Sequence, residues 1–169
     1  AKQHELSKAM YDGVLESQAA LQKLRDIRAQ IKKIQEKIGA AGGAVAGQPA
    51  SAVAQALADF DKKAGELEGA GGGAGGRGGA MGGPPMGMGG PGGGGPDTLA
   101  AIGGTLNQLM SLLQGADAEP TTQAVVAVTE RREALRALLA KWDSLRTKDL
   151  AALNAALKAA SLPAIETER

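Results

Sequence analysis

The chain has 169 residues, a formal net charge of +1 and no cysteine. A near-neutral chain has no general attraction to nucleic acid or anionic lipid, and the lack of cysteine excludes a disulfide framework, a thiolate zinc site and a cysteine nucleophile. No apolar run approaches the length of a membrane span. The apolar residues are mostly alanine and leucine, with one Trp, one Tyr and one Phe, which favours an all-α fold.

The first predicted helix covers residues 2–38, because its apolar residues recur in alternating steps of three and four. Ser17 occupies one position of the same stripe, and Gly39 follows the last apolar position, as at a helix end. The apolar positions of this stripe are Leu6, Met10, Val14, Leu21, Leu24, Ile27, Ile31, Ile34 and Ile38.

The second predicted helix runs from about residue 50 to 68, after Pro49. Residues 69–96 then hold 17 of the 26 glycines. Such a segment has too little apolar surface to offset the entropy of ordering. It is predicted to be a disordered Gly/Met/Pro-rich linker that crosses the end of the bundle between the second and third helices.

The third predicted helix begins after Asp97, a residue type that caps helices. Its stripe is Leu99, Ile102, Leu106, Leu109 and Leu113, and Gly115 ends it. Gly103 and Gly104 either weaken this helix or allow a neighbouring backbone to approach it. The sequence leaves both readings open.

The fourth predicted helix has Pro120 in its first turn. Thr147 or Asp149 would cap a shorter fifth helix, which Pro163 closes. Trp142 is expected to be a core anchor, buried between helices. The stripe of the fourth helix is Val125, Val128, Leu135, Leu138, Leu139, Trp142 and Leu145.

Amphipathic helices need one another's apolar faces in water. The sequence therefore predicts an antiparallel four-helix bundle with a short C-terminal fifth helix and a long loop between helices two and three. Residues 1–68 would form one helical hairpin. Residues 97–169 would form a second hairpin plus the short helix, packed with the first as one domain.

No catalytic, cofactor-binding or metal-ligating residue is predicted. Gly71, Gly73 and Gly76 spell G-x-G-x-x-G, but no strand precedes them and no helix follows at once. Arg77 belongs to a single RGG without the aromatic residues of RNA-binding repeats. His4 is the only histidine and lacks the partner of an H-E-x-x-H motif.

A protein-docking surface is predicted on the first helix, because it is longer than helices two and three. One end of its stripe is expected to lack an intramolecular partner, and uncovered apolar surface marks binding sites. Basic residues nearby would orient the partner, although a solvated helix face is the alternative reading. The predicted docking residues are Leu6, Met10, Arg25, Arg28, Lys32, Lys33, Ile34 and Ile38.

Several segments resemble one bacterial protein family. They are the start Pro120-Thr121-Thr122, the segment from Leu139 to Trp142, the stretch from Lys148 to Asn154, and Leu162-Pro163. Together with residues 5–32 they resemble the helical C-terminal region of sortilin-like, BNR-repeat β-propeller proteins. These are commonly labelled glycosyl hydrolases or likened to photosystem assembly factors. The resemblance implies a module exported to the periplasm or outside the cell, and no propeller lies within this sequence.

The expected function is a non-enzymatic helical docking or structural module, an accessory or stabilising subunit of a larger complex. The resemblance implies that this larger complex is a membrane complex, and a photosynthetic one in a host that has photosynthetic machinery. The alternative is a bracing domain of a carbohydrate-active enzyme; a nucleic-acid-binding module is disfavoured by the charge. The uncapped start at Ala1 predicts a mature product or the C-terminal piece of a longer polypeptide.

Overall fold

The computed structural model describes residues 2–40, 50–69, 97–115 and 120–167. These ranges contain no strand and consist almost entirely of helix. The predicted all-α helical bundle is therefore confirmed, whereas the predicted linker, apart from Gly69, lies outside the described residues. The elements are α1 (Lys2–Ala40), α2 (Ala50–Glu68), α3 (Leu99–Gly115), α4 (Thr122–Ser144), a π-helical turn (Leu145–Asp149) and α5 (Leu150–Ala159).

Helices α2 and α3 lie end to end along α1, both antiparallel to it. The contacts follow α1 from its C-terminal half to its N-terminal half: Arg28 with Asp61, Arg25 with Glu68, Ser17 with Gly103, and Gln3 with Leu113. The α2 and α3 helices share few contacts with each other. The long α1 therefore does not outrun its neighbours, because two shorter helices in series cover its length.

The chain from α4 to α5 forms a third long element, parallel to α1. Arg132 of α4 pairs with Glu16 in the N-terminal half of α1, whereas Lys63 of α2 pairs with Asp149 at the end of the π-helical turn. In cross-section the bundle thus consists of three helical elements packed around one core: α1, the α2–α3 pair, and the run from α4 to α5. All five helices contribute buried side chains to that core, among them Leu24, Leu57, Leu106, Leu135 and Leu157.

Small residues set the close approach of α1 and α3. Ser17 is fully buried, and its hydroxyl donates to the carbonyl oxygen of Val14 at 2.8 Å. A methyl group built on Gly103 would lie 2.5 Å from Ser17 Oγ, whereas one built on Gly104 would meet nothing within 4 Å. Gly103 therefore serves packing, and Gly104 has no such role.

The Gly103→Ala and Gly104→Ala variants are expected to change stability in opposite directions. Gly104→Ala should raise the free energy of unfolding by about 0.5–1 kcal/mol through helix propensity. Gly103→Ala should lower it by about 1–3 kcal/mol, because buried Ser17 cannot move away. Urea unfolding measures both, and adding Ser17→Gly to Gly103→Ala should recover stability. Equal stabilisation by the two alanines would contradict the close contact.

The two ends that flank residues 70–96 meet at the junction of α2 and α3. Gly69 ends α2 with a φ of +92°, and a methyl group built on it would lie 2.4 Å from Thr98 Oγ1. Gly69 and Thr98 therefore lie side by side rather than at two separate helices across the end of the bundle, whereas the predicted linker itself, residues 70–96, lies outside the described residues.

Replacing residues 70–96 by about four glycine and serine residues is expected to preserve the fold. Loop closure costs about 0.6 kcal/mol for each doubling of loop length, so the free energy of unfolding should rise by roughly 1–2 kcal/mol. Urea unfolding with circular dichroism tests this. A clear loss of stability would show that the replaced segment packs against the bundle.

Two helix starts differ from the prediction by one or two residues. Thr98, rather than Asp97, caps α3, since its hydroxyl accepts from the amide of Ala101 at 3.2 Å. Asp97 instead pairs with Arg131 at 3.0 Å. Thr121 caps α4, so Pro120 precedes the helix instead of lying in its first turn. Asp and Thr are both common capping residues, and at α3 the ion pair of Asp97 with Arg131 leaves the capping to Thr98.

Val125 does not belong to the buried stripe of α4. Its side chain is exposed, as is that of Val126, whereas Val128 is buried. The packed face at the start of α4 continues through the half-buried Ala124 and Ala127. This face gives close packing without large side chains, so a pattern search based on valine and leucine misplaces it.

The predicted break between the fourth and fifth helices is absent. The apolar step from Leu145 to Leu150 is five residues, about 140° beyond a full α-helical turn. The chain absorbs this step in the π-helical turn, where the amide of Leu150 donates to the carbonyl oxygen of Leu145. Neither Thr147 nor Asp149 starts a new helix; Thr147 Oγ1 donates back to the Asp143 carbonyl oxygen.

The helical run ends at Ala159, before Pro163 can act as a stop. Ser161 has a φ of +56°, and its amide donates to the carbonyl oxygen of Lys158. The amide of Leu162 donates to the carbonyl oxygen of Leu157 at 2.8 Å. This pair of bonds is the Schellman motif, usually built on glycine. It turns the tail at residues 162–167 back along the bundle.

Candidate functional site

The apolar residues predicted to dock a partner are mostly covered by the chain itself. Met10, Ile34 and Ile38 are buried in the core, and Leu6 is partly buried against it. The expectation of an uncovered end of this stripe is therefore wrong. Its physical reason is the serial arrangement of α2 and α3, which supplies packing partners along the whole of α1.

Two of the predicted basic docking residues form ion pairs with α2. Arg25 Nε lies 2.8 Å from Glu68 Oε1, and Arg28 contacts both Glu68 Oε2 at 2.6 Å and Asp61 Oδ1 at 2.7 Å. The hydrogen bond to Asp61 raises the pKa of Arg28 above its ordinary value. Partial burial lowers this pKa, and the hydrogen bond to Glu68 raises it again. These two arginines thus fasten α1 to α2, whereas Lys32 is exposed.

Glu68 links the two arginines and is itself nearly buried. Burial raises the pKa of its carboxyl group, but hydrogen bonds from Arg25 and Arg28 outweigh burial, so the pKa lies below its ordinary value of 4.5. A carboxylate with a lowered folded pKa contributes stability that is fully present above the ordinary value. This contribution is lost as the pH falls through the folded value.

Glu68→Gln is therefore expected to destabilise the protein by about 1–2 kcal/mol at pH 7, because the hydrogen bonds to the charged arginines are weakened. The loss is no larger because Arg25 is largely exposed to solvent, which screens its charge. Below about pH 4.5 the free energy of unfolding of the variant should also fall less steeply than that of the native chain. Urea unfolding at pH 7 and pH 3 checks both effects. The exposed Glu66 on the same helix supplies the matched control, Glu66→Gln. Parallel pH profiles for the native and Glu68→Gln chains would contradict the coupling.

An apolar pair on the outer face of α1 was not predicted. Tyr11 is 52% exposed and Leu15 is 46% exposed, although their neighbours Met10 and Val14 are buried. Residues four apart share one face of a helix, and this face points away from the core stripe. The signal in the sequence is a large apolar residue one position after each of the stripe residues Met10 and Val14.

A basic cleft of about 750 Å³ lies between α1 and the C-terminal tail. Three lysines from α1 line it, together with two acidic residues, so the local charge is slightly positive. Of the predicted docking residues, only Lys33 lies in this cleft. Its lining is Lys23, Asp26, Ala29, Gln30, Lys33, Lys37, Pro163, Glu166 and Thr167.

A second cleft, of about 330 Å³, lies where α2, the start of α3 and the π-helical turn meet. Lys63 on its rim pairs with Asp149, and this hydrogen bond raises the pKa of Lys63. Leu138 and Leu145 form its apolar wall. Trp142, on the same face of α4, is 6% exposed, so the predicted core position is confirmed.

Within the described ranges, no three His, Cys, Asp or Glu residues come together in a group that could hold a metal ion. Among the same residues, no helix has the length and apolar character needed to cross a membrane.

The comparisons with known proteins add no relative. No protein-family model, curated protein or solved structure matches the chain. The resemblance to the C-terminal region of sortilin-like propeller proteins stays a prediction.

Proposed function

We propose that this chain is a non-enzymatic helical docking and structural module that binds a protein partner. The observation that supports the proposal is the exposed pair Tyr11 and Leu15 on the outer face of α1. Tyrosine is enriched at protein interfaces, where its ring packs and its hydroxyl stays hydrated. The pair replaces the buried Met10 as the apolar contact at this end of α1.

The bundle provides rigid support for such a contact. The α1 helix has 39 residues, which corresponds to roughly 58 Å. Its inner face is held by α2 and α3, and ion pairs fix its sides, as between Arg132 and Glu16 at 2.8 Å. A face that is already ordered loses little conformational freedom on binding, which favours affinity.

The proposed partner is a protein of a larger extracytoplasmic complex, in which the module is an accessory or stabilising subunit. The family resemblance supports this location and favours a membrane complex, photosynthetic where the host has one. The near-neutral net charge of +1 supports a protein partner over nucleic acid.

A photo-crosslinking amino acid at position 11, in the chain expressed in its native host, tests the proposal. One protein should be crosslinked from this position and not from the exposed position Glu133 on α4. An adduct to another domain of the same polypeptide would favour the bracing role instead. The absence of any specific adduct would contradict docking at this face.

The purified partner then allows a quantitative test. Tyr11→Ser combined with Leu15→Ser is expected to weaken binding by roughly a hundredfold, because one or two anchors dominate an interface. Leu112→Ser removes an apolar residue from α3 that is even more exposed, at 60%, and is the matched control. Equal affinity of the double variant and the control would show that the outer face of α1 is not the docking surface.

A further inference from the structure

The C-terminal tail lies in a slot between α1 and α5 that binds its main chain from two sides. Asn154 on α5 donates to the carbonyl oxygen of Ile165 at 3.0 Å and accepts from the Ile165 amide at 2.8 Å. Gln30 on α1 makes the same pair of bonds with Glu166, both at 2.9 Å. Four hydrogen bonds thus recognise two consecutive residues without contacting their side chains.

This arrangement is the recognition pattern of an extended peptide. Successive residues of an extended chain alternate in direction, so one residue presents its amide and carbonyl to one side and the next to the other. Asn154 and Gln30 occupy these two sides. Main-chain pairing of this kind gives affinity for many sequences, and side-chain pockets then give specificity.

One pocket and one charged wall supply the specificity. The side chain of Ile165 is buried in the core, which defines an aliphatic anchor. The following residue, Glu166, lines the cleft together with Lys23, Lys33 and Lys37, whose positive charge Asp26 offsets only in part. An acidic residue after the anchor is favoured there, because opposite charges attract and like charges are rejected.

We infer that this slot is a binding site for an extended segment of a protein partner, with an aliphatic anchor followed by an acidic residue. The tail occupies the site in the free chain and serves as its template. The inference rests on the proposed docking function but concerns a surface distinct from Tyr11 and Leu15.

The tail is held to the bundle by few buried side chains. It is attached through Ser161, whose positive φ is unfavourable for a residue with a side chain. Pro163 and Ala164 are exposed and Leu162 is only partly buried against the core, so the buried Ile165 is its main anchor. Terminal segments with few buried contacts open locally, at lower free energy than the whole domain.

A binding experiment on the full chain tests the inference. Ile165→Asp is expected to empty the slot, and the probe is a fluorescein-labelled peptide of sequence Ser-Leu-Pro-Ala-Ile-Glu-Thr. The variant should bind the peptide roughly tenfold or more tightly than the native chain, in which the tail competes. A variant that stays helical but does not bind, or equal binding by both chains, would overturn the inference.

Four controls define the recognition. Adding Asn154→Leu to the Ile165→Asp chain should abolish peptide binding, because one pair of main-chain bonds is lost. A peptide with Asp in place of Ile should not bind, and one with Lys in place of Glu should bind more weakly at low salt. Equal binding of the Glu and Lys peptides would overturn the acidic preference. Adding Tyr11→Ser and Leu15→Ser should leave peptide binding unchanged, because the slot is a separate surface. If the peptide does not bind to the slot, the proposed docking at Tyr11 and Leu15 is therefore not contradicted.

Hydrogen exchange on the native chain gives a test that does not depend on the folding of a variant. The amides of Ile165 and Glu166 are expected to exchange faster than that of Leu24 in α1, since tail release precedes unfolding. Excess unlabelled peptide should accelerate this exchange by keeping the tail displaced. Exchange of the tail amides only at the rate of global unfolding would overturn displacement.

Discussion

A chain lacking Lys148 is expected to remain folded, with a free energy of unfolding within about 1.5 kcal/mol of the native value. Lys148 is exposed within the π-helical turn, where the core step from Leu145 to Leu150 spans five residues. Deleting one residue shortens that step to four, which an ordinary α-helix accommodates on one face. Both leucines can therefore stay in the core while the turn becomes α-helical.

The matched control is a chain lacking Arg136, an exposed basic residue in the regular part of α4. There the deletion rotates the following residues by about 100° relative to the preceding ones. Leu138, Trp142 and Leu145 would leave the core face, and each buried side chain is worth about 1.5–3 kcal/mol. The expected loss is on the order of 5 kcal/mol or more.

Urea unfolding followed by circular dichroism measures the free energy of unfolding of the two deletion chains. If both deletions are equally disruptive, the π-helical turn does not act as an absorbed extra residue. If both are tolerated, the register of α4 against the core is not fixed by its leucines.

Trp142→Ala is expected to lower the free energy of unfolding by about 3–5 kcal/mol, the usual cost of losing an aromatic side chain from a core. Its exposed fraction is 6%, and it lies on the face of α4 with Leu135 and Leu138. A cavity of this size cannot be refilled, because the helices on either side are held by their own contacts.

Fluorescence gives an independent measurement, since Trp142 is the only tryptophan. Its emission should be blue-shifted and poorly quenched by iodide in the folded chain, and red-shifted after unfolding. Leu112→Ala, at a side chain that is 60% exposed, is the control and should change stability by less than about 0.5 kcal/mol. Red-shifted, readily quenched emission from the folded chain would contradict the burial.

Helical periodicity was sufficient to predict most of the core. The stripe of α1 from Met10 to Ile38 is buried as its spacing indicates. This works because a side chain's direction on a helix follows directly from its position in the sequence. Periodicity failed at Val125 and at the step after Leu145, where small residues and a π-helical turn replace the regular pattern.

The candidate site was less predictable. Of the residues expected to dock a partner, Met10, Ile34 and Ile38 are buried, and Arg25 and Arg28 are engaged with α2. The sequence shows that a residue is apolar or charged, but not which partner covers or pairs with it. The slot that binds the tail depends on Gln30 and Asn154, two residues of common type far apart in the chain.

The sequence by itself determined the helices, their inner faces and the core position of Trp142, because these depend on spacing within about 20 residues. Only the tertiary structure decided that α2 and α3 lie in series along α1, that Gly69 meets Thr98, and that the tail returns to Gln30. These features depend on which apolar faces pair with which. Several pairings of similar amphipathic helices satisfy the same pattern, and contacts such as those of Ser17 with Gly103 and Glu68 with Arg28 select one of them.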